Sequence, residues 1–346
     1  MSVSAKISHQ ITFEQAMKLS DKDKLLYFDS IKVLHPIAAS TLDTLETTTI
    51  PESGADIVLL IGPTGVGKTT ISKNFLEKII KANQYEIVND KSYIPIVYIT
   101  APASGESVFS WRIFYHILGN ALNEPLMNKK FKSKMSEDRH LYVPVNTNST
   151  IAGMRMAIEK ALGYRKTYII VVDEAAHLLI HASERKLIAN MNSLKSLASI
   201  GNLTIVLVGS YELYSIPLLN AQLSRRSAIV HFCRYRSSLK QDIISFKSSI
   251  YNLSLCMPVE NLPDLTTYTD SLMSLCAGCI GILKVTLKKA LVFALRNKKW
   301  SEMCLEKAVL TKSQIQSILS DILKGEEIIE NAVCGTGKLN IKKRCG

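Results

Sequence analysis

The sequence predicts an α/β core built on a parallel sheet and followed by a helical lid, and three observations support this. Between residues 56 and 236, uninterrupted runs of Val, Ile and Leu alternate with segments of helical periodicity. Strands that are apolar at every position are buried on both faces, as in parallel sheets covered by helices. A glycine-rich loop separates the first such run from the helix behind it, and beyond residue 237 only helical patterns remain.

The elements follow in order. Residues 1–50 form a polar helical extension: "TFEQAMKLSDKDKLLYFDSIKVL" repeats apolar positions at three- and four-residue spacing, with Pro36 ending the pattern. "PESGA" at 51–55 is a loop, and the α/β core is expected over 51–236. "DIVLLI" is its first strand, and "TTISKNFLEKIIKAN" its first helix. "IPIVYIT" at 94–100 is the second strand, followed by a helix over about 107–123. Residues 124–150 are loop-like and partly basic, and a helix resumes near Thr150, capped by an Asn/Ser/Thr cluster. "TYIIVVDE", "LTIVLVGS" and "SAIVHFC" supply three further strands. "LKQDIISFKSSIYNL", "ILKVTLKKALVFALRN" and "TKSQIQSILSDILKG" make a helical lid over 237–325, and 326–346 is a basic tail.

Composition, at 47% hydrophobic and 21% charged with no repeat, is that of a globular chain, which excludes a disordered or fibrous protein. No apolar run reaches the roughly 18 residues that span a bilayer, and the N-terminus has no secretory pattern, so a cytoplasmic protein without membrane contact is expected. All seven cysteines fall at or after Cys233 without a disulfide spacing, and the C-x-x-C of Cys276 and Cys279 has no partner pair for zinc. The net charge of +12 favours phosphate-bearing partners, and from Lys284 onward 13 Lys/Arg face 6 Asp/Glu.

Gly62, Pro63, Thr64, Gly65, Val66, Gly67, Lys68 and Thr69 satisfy G-x-x-x-x-G-K-[ST] in full, and Thr70 closes the stretch. Glycines let backbone N–H groups close around phosphates, and the helix behind points its positive end at them. Lys68 is expected to neutralise the β- and γ-phosphates of ATP, with Thr69 ligating Mg²⁺. Asp173 ends a buried strand and is expected on the same Mg²⁺; Glu174 beside it is the general base for the attacking water. "GTGK" at 335–338 has no strand before it and no Ser/Thr after the lysine, so it is read as coincidence. Ser210, at the end of a neighbouring strand, either touches the γ-phosphate or lytic water, or caps the next helix. Arg225 and Arg226 precede the fifth strand, where one of them, with Arg226 preferred, is expected to reach the nucleotide of a neighbouring subunit, the other being ordinary surface or an intrasubunit ion pair. Lys284 opens a lid helix, where it either contacts phosphate from above or lies on a solvated helix face.

The set resembles an AAA+ ATPase, and specifically the TnsC/TniB family of transposition regulators. The likeness is carried by "HP" at 35–36, "LLIGPTGVGKT", "PIVYIT", "VVDEAAHLL", "VLVGSYEL", "QLSRR" and "GCIGILKVTLKKAL", in order from about residue 28 to 295. The resemblance implies an AAA+ P-loop core with a C-terminal lid, and an ATP-dependent homo-oligomer. The oligomer wraps double-stranded DNA as a ring or helical filament and links a target-selection protein to transposase subunits. Relatives of this kind also serve CRISPR-associated transposons. The same resemblance implies that Lys68 and Thr69 are Walker A residues, Asp173 and Glu174 Walker B, Ser210 sensor 1, Arg225 or Arg226 the finger and Lys284 sensor 2. It also turns Arg112, Lys129, Lys130, Lys132 and Lys134 toward DNA phosphates. Two features depart from it: a long gap between Lys68 and Asp173, and lysine at sensor 2. The competing class is an AAA+ ATPase of a secretion-linked or signalling system without DNA binding.

Overall fold

The computed structural model describes residues 12–103, 109–124, 150–179 and 182–334. Lys129, Lys130, Lys132, Lys134 and the "GTGK" copy lie outside the described residues. By their contacts the residues fall into two units. One comprises Leu42–Ile61 and Lys68–His231; the other comprises the residues up to Thr41, Gly62–Gly67 and the chain from Phe232 onward.

The first unit holds the sheet. Its strands are β1 (Ile57–Ile61), β2 (Ile96–Thr100), β3 (Ile169–Asp173), β4 (Thr204–Gly209) and β5 (Ser227–His231), in the spatial order β2-β3-β4-β1-β5. Every pairing is parallel, so each connection must cross back over the sheet, and helices do so. β1 pairs from Ile57↔Ile205 to Ile61↔Gly209 with β4, and from Ile57↔Ser227 to Ile61↔His231 with β5. This register aligns the carboxyl ends of β1, β4 and β5, the edge at which open α/β sheets bind ligands. All five residues of β1 and of β3 are buried. Each fully buried Val, Leu or Ile contributes about 1.5–3 kcal/mol. Continuous burial explains why these strands lack alternation in the sequence.

Among the described residues the α-helices are α1 (Phe13–Met17), α2 (Asp21–Ser30), α3 (Pro36–Thr49), α4 (Lys68–Ala82), α5 (Gln84–Asn89), α6 (Trp111–Ala121), α7 (Ile151–Arg165), α8 (Glu184–Gly201), α9 (Ala221–Arg226), α10 (Lys240–Leu255), α11 (Thr269–Leu275), α12 (Ile280–Arg296), α13 (Glu302–Glu306) and α14 (Lys312–Cys334), with a single helical turn at Ser215–Leu218. Pro36 begins α3 instead of closing the pattern before it. Proline has no N–H to lose in the first turn, and its fixed φ suits a helix start. α6 begins at Trp111, four residues later than the periodicity suggested. α7 begins where expected, with the Thr150 hydroxyl accepting from the Gly153 N–H at 3.0 Å.

In the second unit all described residues beyond β5 are helical or loop, as the sequence implied. α14 continues through Gly325 to Cys334. The guanidinium of Arg234 grips Glu326 with two bonds, at 3.0 and 3.1 Å, and Ile329 is buried. These contacts outweigh the helix-weakening effect of one glycine, about 1 kcal/mol.

Candidate functional site

The loop after β1 is a tight backbone structure. Gly65 has φ +79°, a conformation that disfavours any other residue, and a Cβ on it would stand 2.5 Å from Ile282 Cγ1. The Ile282 N–H donates to the Gly65 carbonyl at 3.1 Å. Gly281 has no Cβ to collide with that same carbonyl, so the start of α12 lies directly on the loop. Phe232 packs beside Gly62 and Gly67 within the same unit.

Lys68 is the first residue of α4, whose first turn carries no acidic side chain. A 15-residue helix beginning in this way turns its first N–H groups and a positive dipole end toward an anion. Thr69 and Thr70 follow, both exposed. The Thr69 hydroxyl donates to Asp173 Oδ2 at 2.8 Å, joining two segments 104 positions apart. Asp173 is buried, at 5% exposure. Its other oxygen, Oδ1, accepts the Glu174 N–H at 2.9 Å. Glu174 itself is exposed and holds φ +53°, a left-handed conformation that costs a non-glycine residue energy. β3 stops there, and the strained residue turns the glutamate out of the strand path. The two adjacent carboxylates therefore occupy different environments: Asp173 is fixed by donors, while Glu174 meets solvent.

One residue of this cluster escaped the sequence reading. The phenol of Tyr98, on β2, donates to Asp173 Oδ2. Burial raises the pKa of Tyr98 well above its ordinary value; the bond to Asp173 and the charges of Asp173 and Glu174 add to this. The available signal was a lone aromatic in "PIVYIT", but only the register identifies its partner: Tyr98 lies opposite Val171, two residues before Asp173.

The remaining candidates sit as follows. Ser210 follows β4, the strand between β1 and β3, and its hydroxyl makes no capping bond to the turn behind it. Arg226 Nη1 bonds Asp56 Oδ2 at 2.8 Å and also reaches Ser199 Oγ at 3.3 Å. Arg225, beside it, is exposed and has no partner among the described residues. Arg112 is half-buried on α6 and has an interaction partner of its own. In the second unit the Lys284 ammonium donates to the carbonyls of Asp29 and Ile31, both at 2.6 Å. Burial lowers the pKa of Lys284, and nearby Asp29 partly offsets this.

Residues 51–216 match the family model of the AAA domain. The fold is that of an AAA+ ATPase. Among solved structures, the Walker-type ATPase PABY2304 of Pyrococcus abyssi aligns over 86% of this chain and 75% of its own, at 17% identity and TM-score 0.48. The ORC2 protein of Aeropyrum pernix, solved in ADPNP and ADP complexes, aligns over 80% of this chain and 69% of its own, at 15% identity and TM-score 0.51. Cdc6p of Pyrobaculum aerophilum aligns over 80% and 68%, at 13% identity and TM-score 0.48. At such identities the likeness is one of fold. No curated protein matches this sequence, and the AAA domain model is broader than the transposition-regulator family. No helix among the described residues is long and apolar enough to cross a membrane.

The AAA+ fold implies Mg²⁺ with the nucleotide, and the donor set fits it. Thr69 and Asp173 present a hydroxyl and a carboxylate within 2.8 Å, both hard oxygen donors. No group of three or more His, Cys, Asp or Glu among the described residues forms a self-sufficient metal cage.

Proposed function

We propose that this protein is an ATPase whose nucleotide state controls its assembly on duplex DNA within a transposition system. The observation that carries the ATPase reading is the hydrogen bond from Thr69 to Asp173, with Glu174 turned out beside it. That bond joins the end of the phosphate loop to the acidic end of β3. The Aeropyrum ORC2 protein, which shares the fold, was solved with ADPNP and ADP, and its likeness supports an adenine nucleotide here.

Residue roles follow from placement. Gly62–Gly67 supplies backbone N–H donors, and Lys68 answers the β- and γ-phosphate charge from the start of α4. Thr69 and Asp173 would hold Mg²⁺, which would supply positive charge against the charge developing on the phosphates. Exposed Glu174 takes a proton from the attacking water, and the uncapped Ser210 hydroxyl orients that water or the γ-phosphate. Arg225, exposed and unengaged, is the arginine free to reach a neighbouring subunit's nucleotide. Arg226 serves its own subunit through Asp56. Lys284 holds the Asp29–Ile31 segment to α12.

The DNA and transposition part rests on the ordered motifs from "HP" to "GCIGILKVTLKKAL" and on the net charge of +12. Basic residues on an ATP-ordered oligomer would neutralise backbone phosphates, giving salt-dependent binding with little sequence preference. A target-selection protein and transposase subunits are its partners in this reading. The test is electron microscopy of the protein with duplex DNA in ATP, a non-hydrolysable analogue or no nucleotide. Rings or filaments are expected only with nucleotide, absent for Lys68→Ala and longer-lived for Glu174→Gln. DNA-bound oligomers of Lys68→Ala with normal ATP dependence would refute the mechanism.

A further inference from the structure

The Asp173 carboxylate is held on three sides. Oδ1 takes the Glu174 N–H, and Oδ2 takes the hydroxyls of both Thr69 and Tyr98. Two of these donors belong to the nucleotide motifs; the third comes from β2 and has no part in them. We propose that Tyr98 is a positioning residue for the metal-nucleotide complex: its phenol sets the rotation of the Asp173 carboxylate so that one oxygen faces the Thr69 hydroxyl and the cation. This rests on the assignment of Thr69 and Asp173 to a nucleotide site.

The geometry of the sheet explains the choice of residue. β2 and β3 pair in parallel with Tyr98 opposite Val171 and Thr100 opposite Asp173. Side chains two positions apart on a strand share a face, so Tyr98, Val171 and Asp173 project to the same side of the sheet. A residue opposite Val171 must extend along the strands by about 6–7 Å to reach the next same-face position. Tyrosine carries a hydroxyl that far on a rigid ring; serine or threonine would fall short. Its ring is half-buried, and its hydroxyl faces a carboxylate oxygen, to which a phenol O–H donates. A carboxylate held only by Thr69 and its own chain neighbour would be free to rotate whenever Thr69 turned its hydroxyl to the cation. Tyr98 retains the orientation at that moment, because its bond does not depend on the nucleotide. Outer partners that orient a ligand in this way typically change metal affinity by about 10–100-fold when removed.

The full-length protein and its Tyr98→Phe variant are compared in two titrations. ADP binding in EDTA reports the phosphate loop without metal. Mn²⁺ binding to the ADP complex, followed by electron paramagnetic resonance, reports the cation. The expected result is unchanged ADP affinity in EDTA and a Mn²⁺ midpoint about tenfold higher for Tyr98→Phe. Should Tyr98→Phe lose its cooperative thermal transition, Tyr98→Met, which also lacks the hydroxyl, replaces it. Coincident Mn²⁺ midpoints, or equal losses in both titrations, would overturn the positioning role. A wild-type protein that binds ADP in neither condition would instead overturn the nucleotide site itself, and so the two failures are distinguishable.

Discussion

Acidification should destabilise the helical unit through His35. The imidazole is 5% exposed and stacked on Phe232, with centroids 6.0 Å apart and planes 18° from parallel. Its Nδ1 accepts the Ala38 N–H at 3.4 Å and stands 2.9 Å from the Tyr235 hydroxyl. A backbone N–H can only donate, so Nδ1 is an acceptor, the ring proton sits on Nε2 and Tyr235 donates as well. Protonating Nδ1 would set it against both donors in a buried site. Burial accordingly brings the pKa down from 6.5 to about 4. Between those values the unfolded chain binds a proton that the folded chain refuses, so stability falls as pH falls. The contribution is complete above pH 6.5 and lost by about pH 4, a total of about 3 kcal/mol. Trp300 lies in this unit and Trp111 in the other, so a Trp111→Phe background lets fluorescence follow the helical unit alone. Urea unfolding from pH 7.5 to 4 should show a steeper loss with His35 present than in His35→Gln; carboxylate titrations common to both cancel. Parallel pH profiles for the two proteins would refute the argument.

Three further outcomes follow from the site. Arg225→Ala should leave the melting temperature unchanged and lower ATP turnover by about 10³-fold, the scale of a missing arginine finger. Arg226→Ala breaks an exposed ion pair with Asp56 and should shift the melting temperature by at most a few degrees. A larger turnover loss in Arg226→Ala would assign the trans contact to that residue instead. Gly281→Ala drives a Cβ into the Gly65 carbonyl. Its expected cost is about 1–3 kcal/mol of helical-unit stability, read by Trp300 unfolding, and an unchanged denaturation midpoint would contradict the close approach.

The sheet was legible because strands buried on both faces show no alternation to confuse with amphipathic helices, and their apolar runs overshot the true ends by only one or two residues. Those ends depend on pairing: Asp173 closes β3 because it lies opposite Thr100, the last residue of β2. Local signals misled where tertiary contacts decide. Pro36 reads equally well as a stop or a start, and only the helix behind it settles which. Gly325 looks like a terminator until Arg234, on another segment, holds Glu326 beyond it. α8 passed unnoticed although Leu187, Met191, Leu194 and Ala198 recur at helical spacing and are buried. In the site, Thr69 and Asp173 belong to motifs and could be named from spacing. Tyr98 could not, because a tyrosine in an apolar strand is ordinarily a core aromatic, and its target emerges only from the register of β2 on β3.

The basic residues expected to answer phosphate differ most in what they must give up to do so. Lys284 makes two short bonds to carbonyls in a partly buried place, and moving it to a nucleotide would leave both carbonyls without that donor. Each unsatisfied group costs about 1–3 kcal/mol if no water replaces the lysine. Arg226 would surrender an ion pair, a smaller loss because its side chain is 49% exposed. Arg225 surrenders only hydration and side-chain freedom. A contact completed by a second subunit is repaid only when that subunit arrives, so a cation already bonded at home makes assembly weaker by the value of those bonds. In the proposed assembly Arg225 would therefore make the tightest trans contact for the same phosphate charge. Being exposed, it should also be the contact most weakened by salt.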